Sequence, residues 1–484
     1  MKDKQIGSKL IINSFLWKFL ERLFSQGLNL IVQIILARIL LPSDFGSLAI
    51  IIAVTNFAGL FVQSGLATAL IQKKELDDSD ISTMLTGSLL IALLLFIILF
   101  LLAPWISLRY GMPQLNWPLR VLSLTLFLSA INSVQTAILT REMDFKIIFI
   151  RTMCAVPIAG TVGIVMALSG FGLWALVAHN LVNTLVLVLF MMIGCKYKIK
   201  FGFSVEKARE LYSFSLKILA TSLVSGFGDT LRALVIGKKY STEDLSYYDK
   251  AITYSGYVSL IVNATIQGVM LPAFSKKQDD SYWLKTMVRK SSRLTAFVMF
   301  PVLLWVIACA HPIVILLLTS KWTPCIPFLM VFCLMRIPGC ITTLDKQAFY
   351  AVGRSDIGFY YEIVLLVVNI GLLFITVPIG IGAIAVGVTL VEFLGTMVIF
   401  VFAKKIFGYK YGERINDLYK PLMNSIIMAS IVWSISFVGL NMLLILVCQI
   451  IVGCLIYYLL AQITRDESLQ YIKHNILEKI KQQQ

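Results

Sequence analysis

Charged residues are scarce in this chain. Lys, Arg, Asp and Glu together make up only 14% of the 484 residues, whereas apolar residues make up 58%. A soluble protein of this length usually has about a quarter of its residues charged. No stretch between the apolar runs is long enough to form a separate soluble domain. This composition indicates a protein that is embedded in a membrane along its whole length.

Sequence signatures of catalytic and metal sites are missing as well. There are only three histidines, and no phosphate-binding glycine loop, nucleophile elbow or HExxH motif occurs. The eight cysteines form no CxxC pair or Cys/His cluster, so neither a metal site nor a disulfide framework is expected. We therefore expect no cofactor. In the absence of a nucleotide-binding motif, the energy source is an ion gradient, the membrane potential or the substrate's own gradient, with coupling to Na⁺ or H⁺ unassigned.

Apolar runs long enough to cross a bilayer, about 20 residues each, recur from end to end. Their pattern predicts an all-α polytopic membrane protein. The segment 296–319 is expected to be broken by Pro301 and Pro312. We place fourteen spans at 10–37, 45–70, 83–107, 117–139, 147–169, 172–194, 213–237, 249–273, 288–318, 324–348, 357–378, 380–403, 418–439 and 441–463.

Positive charge is distributed unevenly between alternate loops. About 31 of the 42 Lys and Arg residues fall in the segments that share a side with the N-terminus. Because cytosolic loops carry the excess of Lys and Arg, both termini are predicted to be cytosolic. This asymmetry accounts for the net charge of +16 without a nucleic-acid partner. An apolar face in the last twenty residues favours a helix on the cytosolic membrane surface, and a solvated tail is the alternative.

The two halves of the chain resemble each other. A shift of about 200 to 213 residues aligns Asp44 with Asp244, Arg141 with Arg354 and Gly170 with Gly380, in an order that is kept throughout. Six spans per copy make the repeats parallel, and substrate sites usually lie between such repeats. The predicted organisation is a six-helix lobe at 1–195, a second at 196–405, a central cavity between them, two additional helices at 406–464 and a cytosolic amphipathic tail at 465–484.

Two spans carry a polar stripe. The first contains Lys18, Glu21 and Arg22, followed by Gln26, Asn29 and Gln33, and most of these positions share one helical face. The seventh repeats the pattern with Lys217, Thr221, Ser225, Asp229 and Arg232. Ionisable groups inside a membrane are costly, so they normally face a watery cavity or each other.

Two interpretations of these charges remain. Lys18 or Arg22 with Glu21, and Asp229 with Arg232, could be local pairs that neutralise one another. Alternatively they line a cavity, and the excess of cations then favours an anionic substrate, because arginine matches phosphate oxygens with a fork of donors. Weaker candidates for a cavity lining are Gln26, Asn29, Gln33, Arg336, Glu362 and Glu392.

Several motifs resemble those of the polysaccharide transporter family, the oligosaccharide-flippase branch of the superfamily that also contains multidrug and toxic compound extrusion proteins. The resemblance spans roughly residues 10–400, and the segment from Leu36 to Gly46 is its most distinctive part. The other segments that carry it are 72–74, 141–145, Asp229, 236–238, 247–251, 271–275, 321–322 and 353–356.

The resemblance implies fourteen helices, arranged as two six-helix lobes plus two more. It also implies a flippase that moves undecaprenyl-diphosphate-linked oligosaccharides from the cytosolic to the periplasmic leaflet of the bacterial inner membrane by alternating access. The products would be O-antigen, capsule or exopolysaccharide, and a polymerase and glycosyltransferases of the same pathway are candidate partners. On this basis Lys18, Arg22 and Arg232 would hold the diphosphate, with Glu21 and Asp229 beside them.

Two alternatives compete with this interpretation. An ion-coupled antiporter of drugs or organic cations with the same fold would favour an acidic or aromatic pocket, whereas the stripes here are net basic. A membrane glycosyltransferase or polymerase would need a sizeable extramembrane loop or domain, and the non-cytosolic loops are short.

Overall fold

The chain is described by a computed structural model that covers residues 8–63, 70, 73, 76–194, 202–275, 279–471 and 473. These residues form helices joined by short turns, and no β-strand occurs among them. The helices are α1 (Ser8–Ile39), α2 (Pro42–Gln63), α3 (Asp78–Tyr110), α4 (Asn116–Ser123), α5 (Thr125–Arg141), α6 (Phe145–Leu168), α7 (Leu173–Gly194), α8 (Val205–Lys239), α9 (Thr242–Ser275), α10 (Ser281–Ala308), α11 (Ala310–Leu318), α12 (Cys325–Ala351), α13 (Ser355–Thr376), α14 (Ile381–Phe407), α15 (Tyr411–Ser434) and α16 (Met442–Ile463).

The polytopic all-α architecture is confirmed. Thirteen helices in the described part of the chain are long and apolar enough to cross a membrane. Helix α9, with 34 residues, is a further long helix in the position of the eighth predicted span. The count of fourteen spans is compatible with this arrangement and stays a prediction.

The chain folds as two compact units, Met1–Ser246 and Tyr247–Gln484. Helix α8, which carries the second polar stripe, belongs to the first unit. The division into lobes at 195/196 follows the sequence repeat and stays a prediction. Residues 472 and 474–484 of the predicted amphipathic tail lie outside the described residues.

The internal repeat has a counterpart in local geometry. Asp44 accepts a hydrogen bond from the backbone N–H of Leu41 at 3.2 Å, and Asp244 accepts the equivalent bond from Ser241 at 3.4 Å. Each carboxylate thereby satisfies a donor at a helix N-terminus. Residues with positive φ also occur in the corresponding connections, but φ is 83° at Gly170 and 151° at Gly380. The two copies therefore share the hydrogen bond at the helix start, whereas these two connections differ in backbone geometry.

The ninth predicted span, 288–318, differs from the structure. Pro301 lies inside a continuous helix α10, which begins at Ser281, and the break falls at Cys309, before the short helix α11. Neighbouring helices and side chains can satisfy the carbonyl that a proline leaves free, so membrane helices tolerate proline. The expectation that Pro301 interrupts the helix was wrong.

In the first unit, α8 is fixed against α2 and α3. The rings of Phe57 and Phe227 lie 6.0 Å apart, and the hydroxyl of Tyr110 donates to the carbonyl of Leu234 at 2.9 Å. At the other end of α8, Lys207 pairs with Asp77, the N-cap of α3, and this hydrogen bond lowers the pKa of Asp77 to about 2. The helix with the second stripe is thus anchored at both ends.

In the second unit, α15 is fixed to α10 and α12 by ion pairs. Arg414 on α15 binds Asp345 on α12 through two hydrogen bonds of 2.8 Å. Asp417, one turn further, binds Arg289 and Arg293 of α10 and also accepts a 2.7 Å hydrogen bond from Tyr409. The first of the two additional helices is therefore an integral part of this unit.

Gly46 marks a close approach of two backbones in the first unit. A Cβ atom at this position would lie 1.8 Å from the carbonyl oxygen of Thr242 at the start of α9. We expect Gly46→Ala to destabilise the protein by about 1–3 kcal/mol, because backbone atoms must move to admit the methyl group. Thermal unfolding of the purified protein in detergent measures the loss.

Gly371→Ala is the matched control for this substitution. Gly371 lies inside helix α13, and a Cβ there meets no atom within 4 Å. The melting temperature of the Gly371→Ala variant should equal or exceed that of the wild type, because alanine has a higher helix propensity than glycine. Equal melting temperatures for the two alanine variants would show that α2 and α9 do not meet at Gly46.

Candidate functional site

The charged end of α1 lies beside α6. The ring of Phe149 on α6 is 5.3 Å from that of Trp17 and 6.0 Å from that of Phe24. Between these contacts the ammonium group of Lys18 lies over the ring of Phe145, 5.2 Å from its centre. Aromatic side chains therefore fix the N-terminal half of this span, and the charges of α1 are held next to the start of α6.

Glu21 faces polar groups of α6. The hydroxyl of Thr152 donates to its carboxylate at 3.5 Å, and Arg151 is close enough to interact with it electrostatically. Arg151 is itself buried and donates to the side-chain oxygens of Asn132 at 2.8 Å and Thr136 at 3.2 Å. These bonds hold the guanidinium in one orientation, beside the polar stripe.

We refer to Lys18, Glu21, Arg22 and Arg151 as the α1–α6 cluster. Three cations and one carboxylate give it a formal net charge of +2. In the part of the chain that the structure describes, neither Lys18 nor Arg22 has a carboxylate at ion-pair distance. Glu21 interacts electrostatically with Arg22, Arg151 and Lys18, so local neutralisation accounts for one of the three positive charges and leaves two in excess.

Sequence reasoning does not identify Arg151 as a site residue, because it lies near the end of a predicted span, where basic residues are typical of orienting charges. It lies in the second turn of α6 and is almost fully buried. One signal was present: Asn132 and Thr136 lie one turn apart in the preceding span, and such a pair of side-chain oxygens can accept from one guanidinium.

The amides of the first stripe continue along α1 from this cluster. Gln26, Asn29 and Gln33 are all partly exposed. Asn29 donates to the hydroxyl of Ser25 at 3.5 Å, at the limit of a hydrogen bond. They extend the polar face of α1 without adding charge.

The stripe on α8 is arranged differently. Arg232 donates to Asp229 at 3.0 Å, one helical turn away, with 10% of the arginine side chain and 78% of the aspartate side chain exposed. This is the local pair that the spacing allowed. The side chain of Lys217 lies outside the described residues.

Three of the weaker candidates, Arg336, Glu362 and Glu392, lie together with Lys346 in the other unit. Lys346 on α12 pairs with Glu362 on α13 at 2.8 Å and lies over the ring of Tyr361. Glu392 on α14 interacts electrostatically with Lys346, Glu362 and Arg336, and Arg336 donates to the carbonyl of Ile252 at 3.1 Å. With two cations and two carboxylates, this cluster is formally neutral. It therefore lacks the surplus of positive charge of the α1–α6 cluster.

Solved structures show the same fold. The protein resembles an inward closed structure of the lipid II flippase MurJ with a TM-score of 0.78, at 18% identity and over 93% of this chain and 98% of that one. It resembles an inward-facing multidrug resistance MATE transporter with a TM-score of 0.61, at 17% identity and over 82% and 96% of the two chains. At these identities the likeness shows the fold alone.

Sequence comparisons point to polysaccharide biosynthesis. The succinoglycan biosynthesis transport protein ExoT of Rhizobium meliloti is 24% identical over 76% of this chain and 74% of its own. The lipopolysaccharide biosynthesis protein WzxC of Escherichia coli is 26% identical over 85% and 84%. The model of the polysaccharide biosynthesis protein family matches residues 35–327, which is more than half of the chain. The chain therefore belongs to the polysaccharide biosynthesis protein family.

Proposed function

We propose that this protein is a flippase for undecaprenyl-diphosphate-linked oligosaccharide repeat units. It is a multi-pass membrane transporter and not an enzyme, in line with its relative ExoT, a succinoglycan biosynthesis transport protein. It moves the repeat units from the cytosolic to the periplasmic leaflet for O-antigen, capsule or exopolysaccharide synthesis. The family membership and the MurJ-like fold support this assignment.

The observation that carries the proposal is the excess of cations in the α1–α6 cluster. Lys18 and Arg22 lie within a membrane-spanning helix, and with Arg151 they share the single carboxylate of the cluster, Glu21. Such a charge costs about 2.5–3.5 kcal/mol at the centre of a span and less toward its ends, so a surplus of cations inside a span is retained where it serves a function. A diphosphate that passes along α1 would supply the missing anion, because guanidinium groups bind phosphate oxygens with paired hydrogen bonds.

The proposed setting is the bacterial inner membrane, with both termini in the cytosol. In this orientation the α1–α6 cluster lies near the cytosolic end of α1, where a substrate made in the cytosol arrives first. Alternating access of two six-helix lobes would carry the sugar head across while the lipid tail stays in the bilayer. A polymerase and glycosyltransferases of the pathway are the proposed partners, and an ion gradient, the membrane potential or the substrate's own gradient is the proposed energy source.

Reconstitution tests the function directly. Proteoliposomes of the full chain are loaded with a fluorescently labelled undecaprenyl-diphosphate-linked disaccharide, and a membrane-impermeant quencher reports its leaflet. We expect the label to exchange between leaflets much faster than in protein-free vesicles. Efflux of an organic cation coupled to Na⁺ or H⁺, with no movement of the labelled lipid, would instead identify a multidrug antiporter.

A further inference from the structure

The second unit contains a pocket that the proposed transport path does not use. It lies between the start of α10 and the segment that follows α16, and its volume is about 430 Å³. Volumes of about 300–1,000 Å³ are typical of small-molecule sites. Arg289, Lys290 and Arg293 of α10 line it, together with Glu467, Ser468 and Tyr471. Its lining carries a formal net charge of +2, which becomes +1 when Asp417, bound to both arginines, is included.

Two of the three cations are held in place. Asp417 binds Arg289 at 2.7 Å and also binds Arg293, while Glu467 pairs with Arg293. These carboxylates fix the guanidinium groups before any ligand arrives. Preorganised donors lose little conformational entropy on binding, which favours affinity.

Lys290 is placed differently from its two neighbours. Its ammonium group lies over the ring of Tyr471, 3.7 Å from the centre, and it forms no ion pair within the described chain. The hydroxyl of Ser468, a residue that is only 3% exposed, has no hydrogen-bond partner among the described residues. The pocket thus combines a cation whose charge is not neutralised with a buried polar group that has an unused hydrogen bond.

An apolar stripe leads away from the pocket along α10. Leu294, one turn after Lys290, lines the pocket, and Val298 and Val302 follow at the same spacing of four residues with 48% and 41% of their surfaces exposed. Residues four apart lie on one face of a helix. The pocket thus places cations at the membrane surface, and exposed valines follow within the span. This arrangement matches an amphiphile with a charged head and acyl chains better than it matches a soluble anion.

We propose that this pocket binds the phosphate headgroup of an anionic phospholipid from the leaflet that surrounds it. The phosphate lies between Lys290 and the two fixed arginines, and the acyl chains run along Leu294, Val298 and Val302. Basic pockets at the cytosolic side of membrane helices attract anionic lipids in this way. The site is independent of the transported substrate.

Native mass spectrometry of the purified full chain tests the proposal. The probes are a phosphatidylglycerol and a phosphatidylcholine with identical acyl chains, each added to delipidated protein. We expect one phosphatidylglycerol molecule to be retained at about tenfold higher affinity than phosphatidylcholine. Lys290→Gln should abolish this difference, since the loss of one charge-assisted hydrogen bond reduces affinity by about that factor. Lys290→Arg should preserve it.

The control is Lys405→Gln, which removes an exposed lysine from the end of α14, outside the pocket. It should bind phosphatidylglycerol like the wild type. Equal loss of phosphatidylglycerol binding in Lys290→Gln and Lys405→Gln would overturn the proposal, since the overall charge of the protein would then determine binding. Retention of inorganic pyrophosphate with no preference between the lipids would also overturn it and would identify a site for soluble anions. Because lipid retention is measured without transport, failure here leaves the proposed flippase activity untouched.

Discussion

Arg414→Ala is expected to destabilise the second unit by about 3–5 kcal/mol, enough to deplete the protein from the membrane. Arg414 and Asp345 are buried, with 2% and 0% of their side chains exposed, and they share two hydrogen bonds. The guanidinium also lies over the rings of Phe400 and Tyr409, at 4.1 and 4.0 Å. Removal of the arginine leaves a buried carboxylate without a counter-charge. Removing one partner of a buried ion pair in this way costs more stability than replacing both partners with apolar residues.

Protein levels in isolated membranes and thermal unfolding in detergent measure this effect. Arg354→Ala is the matched control, since Arg354 forms a similar bidentate pair with Asp356 in which the side chains are 52% and 47% exposed. Exposed pairs contribute only about 0–1 kcal/mol. If both alanine variants melted like the wild type, the buried pair between α12 and α15 would not exist in the membrane.

The double variant Asp345→Leu/Arg414→Leu separates the cost of an unpaired charge from that of lost packing. It removes both charges, so no buried carboxylate remains without a partner. Apolar replacement of a whole buried pair is often neutral or stabilising. We therefore expect the double variant to recover most of the stability that Arg414→Ala loses.

Much of the helical organisation could be predicted from the sequence because it depends on local rules. The length of the apolar runs predicts the spans, and turn residues predict their ends: the repeat aligns Asp44 with Asp244, and both carboxylates accept the same hydrogen bond at a helix start. Pro301 shows where a local rule is insufficient. Whether a proline interrupts a membrane helix depends on neighbours that satisfy the freed carbonyl, and those neighbours come from other parts of the chain.

The roles of individual charges could not be predicted in the same way. Arg151, Arg289, Arg293 and Arg414 all lie near the polar ends of spans, where the sequence suggests orienting loop charges. Three of them bind Asp345 or Asp417, which are 69 to 128 positions away in the chain. The pair of Asp229 with Arg232 was foreseen as an alternative because its partners lie one turn apart. A single sequence therefore predicts polar contacts between residues that are close together in the chain, and it does not predict those between distant residues.

Arg22→Ala is expected to reduce the translocation rate at least tenfold while leaving the amount of protein in the membrane unchanged. Arg22 is partly exposed and lies within a membrane span, without a carboxylate at ion-pair distance among the described residues. Its removal relieves the cost of a charge in the membrane, so stability should not fall. Loss of a charge-assisted bond to phosphate costs about 1.5–3 kcal/mol, which is at least a tenfold change in binding.

A loss of transport without a loss of stability distinguishes a substrate contact from a structural charge. The readouts are movement of the labelled lipid in proteoliposomes and polysaccharide at the cell surface, each normalised to protein level. Arg22→Lys should retain part of the activity, because a lysine keeps the charge and loses the planar fork of donors. Leu23→Ala changes an exposed apolar neighbour on the same helix and should transport normally. Wild-type transport by Arg22→Ala would show that the positive charge of the α1–α6 cluster does not bind the diphosphate.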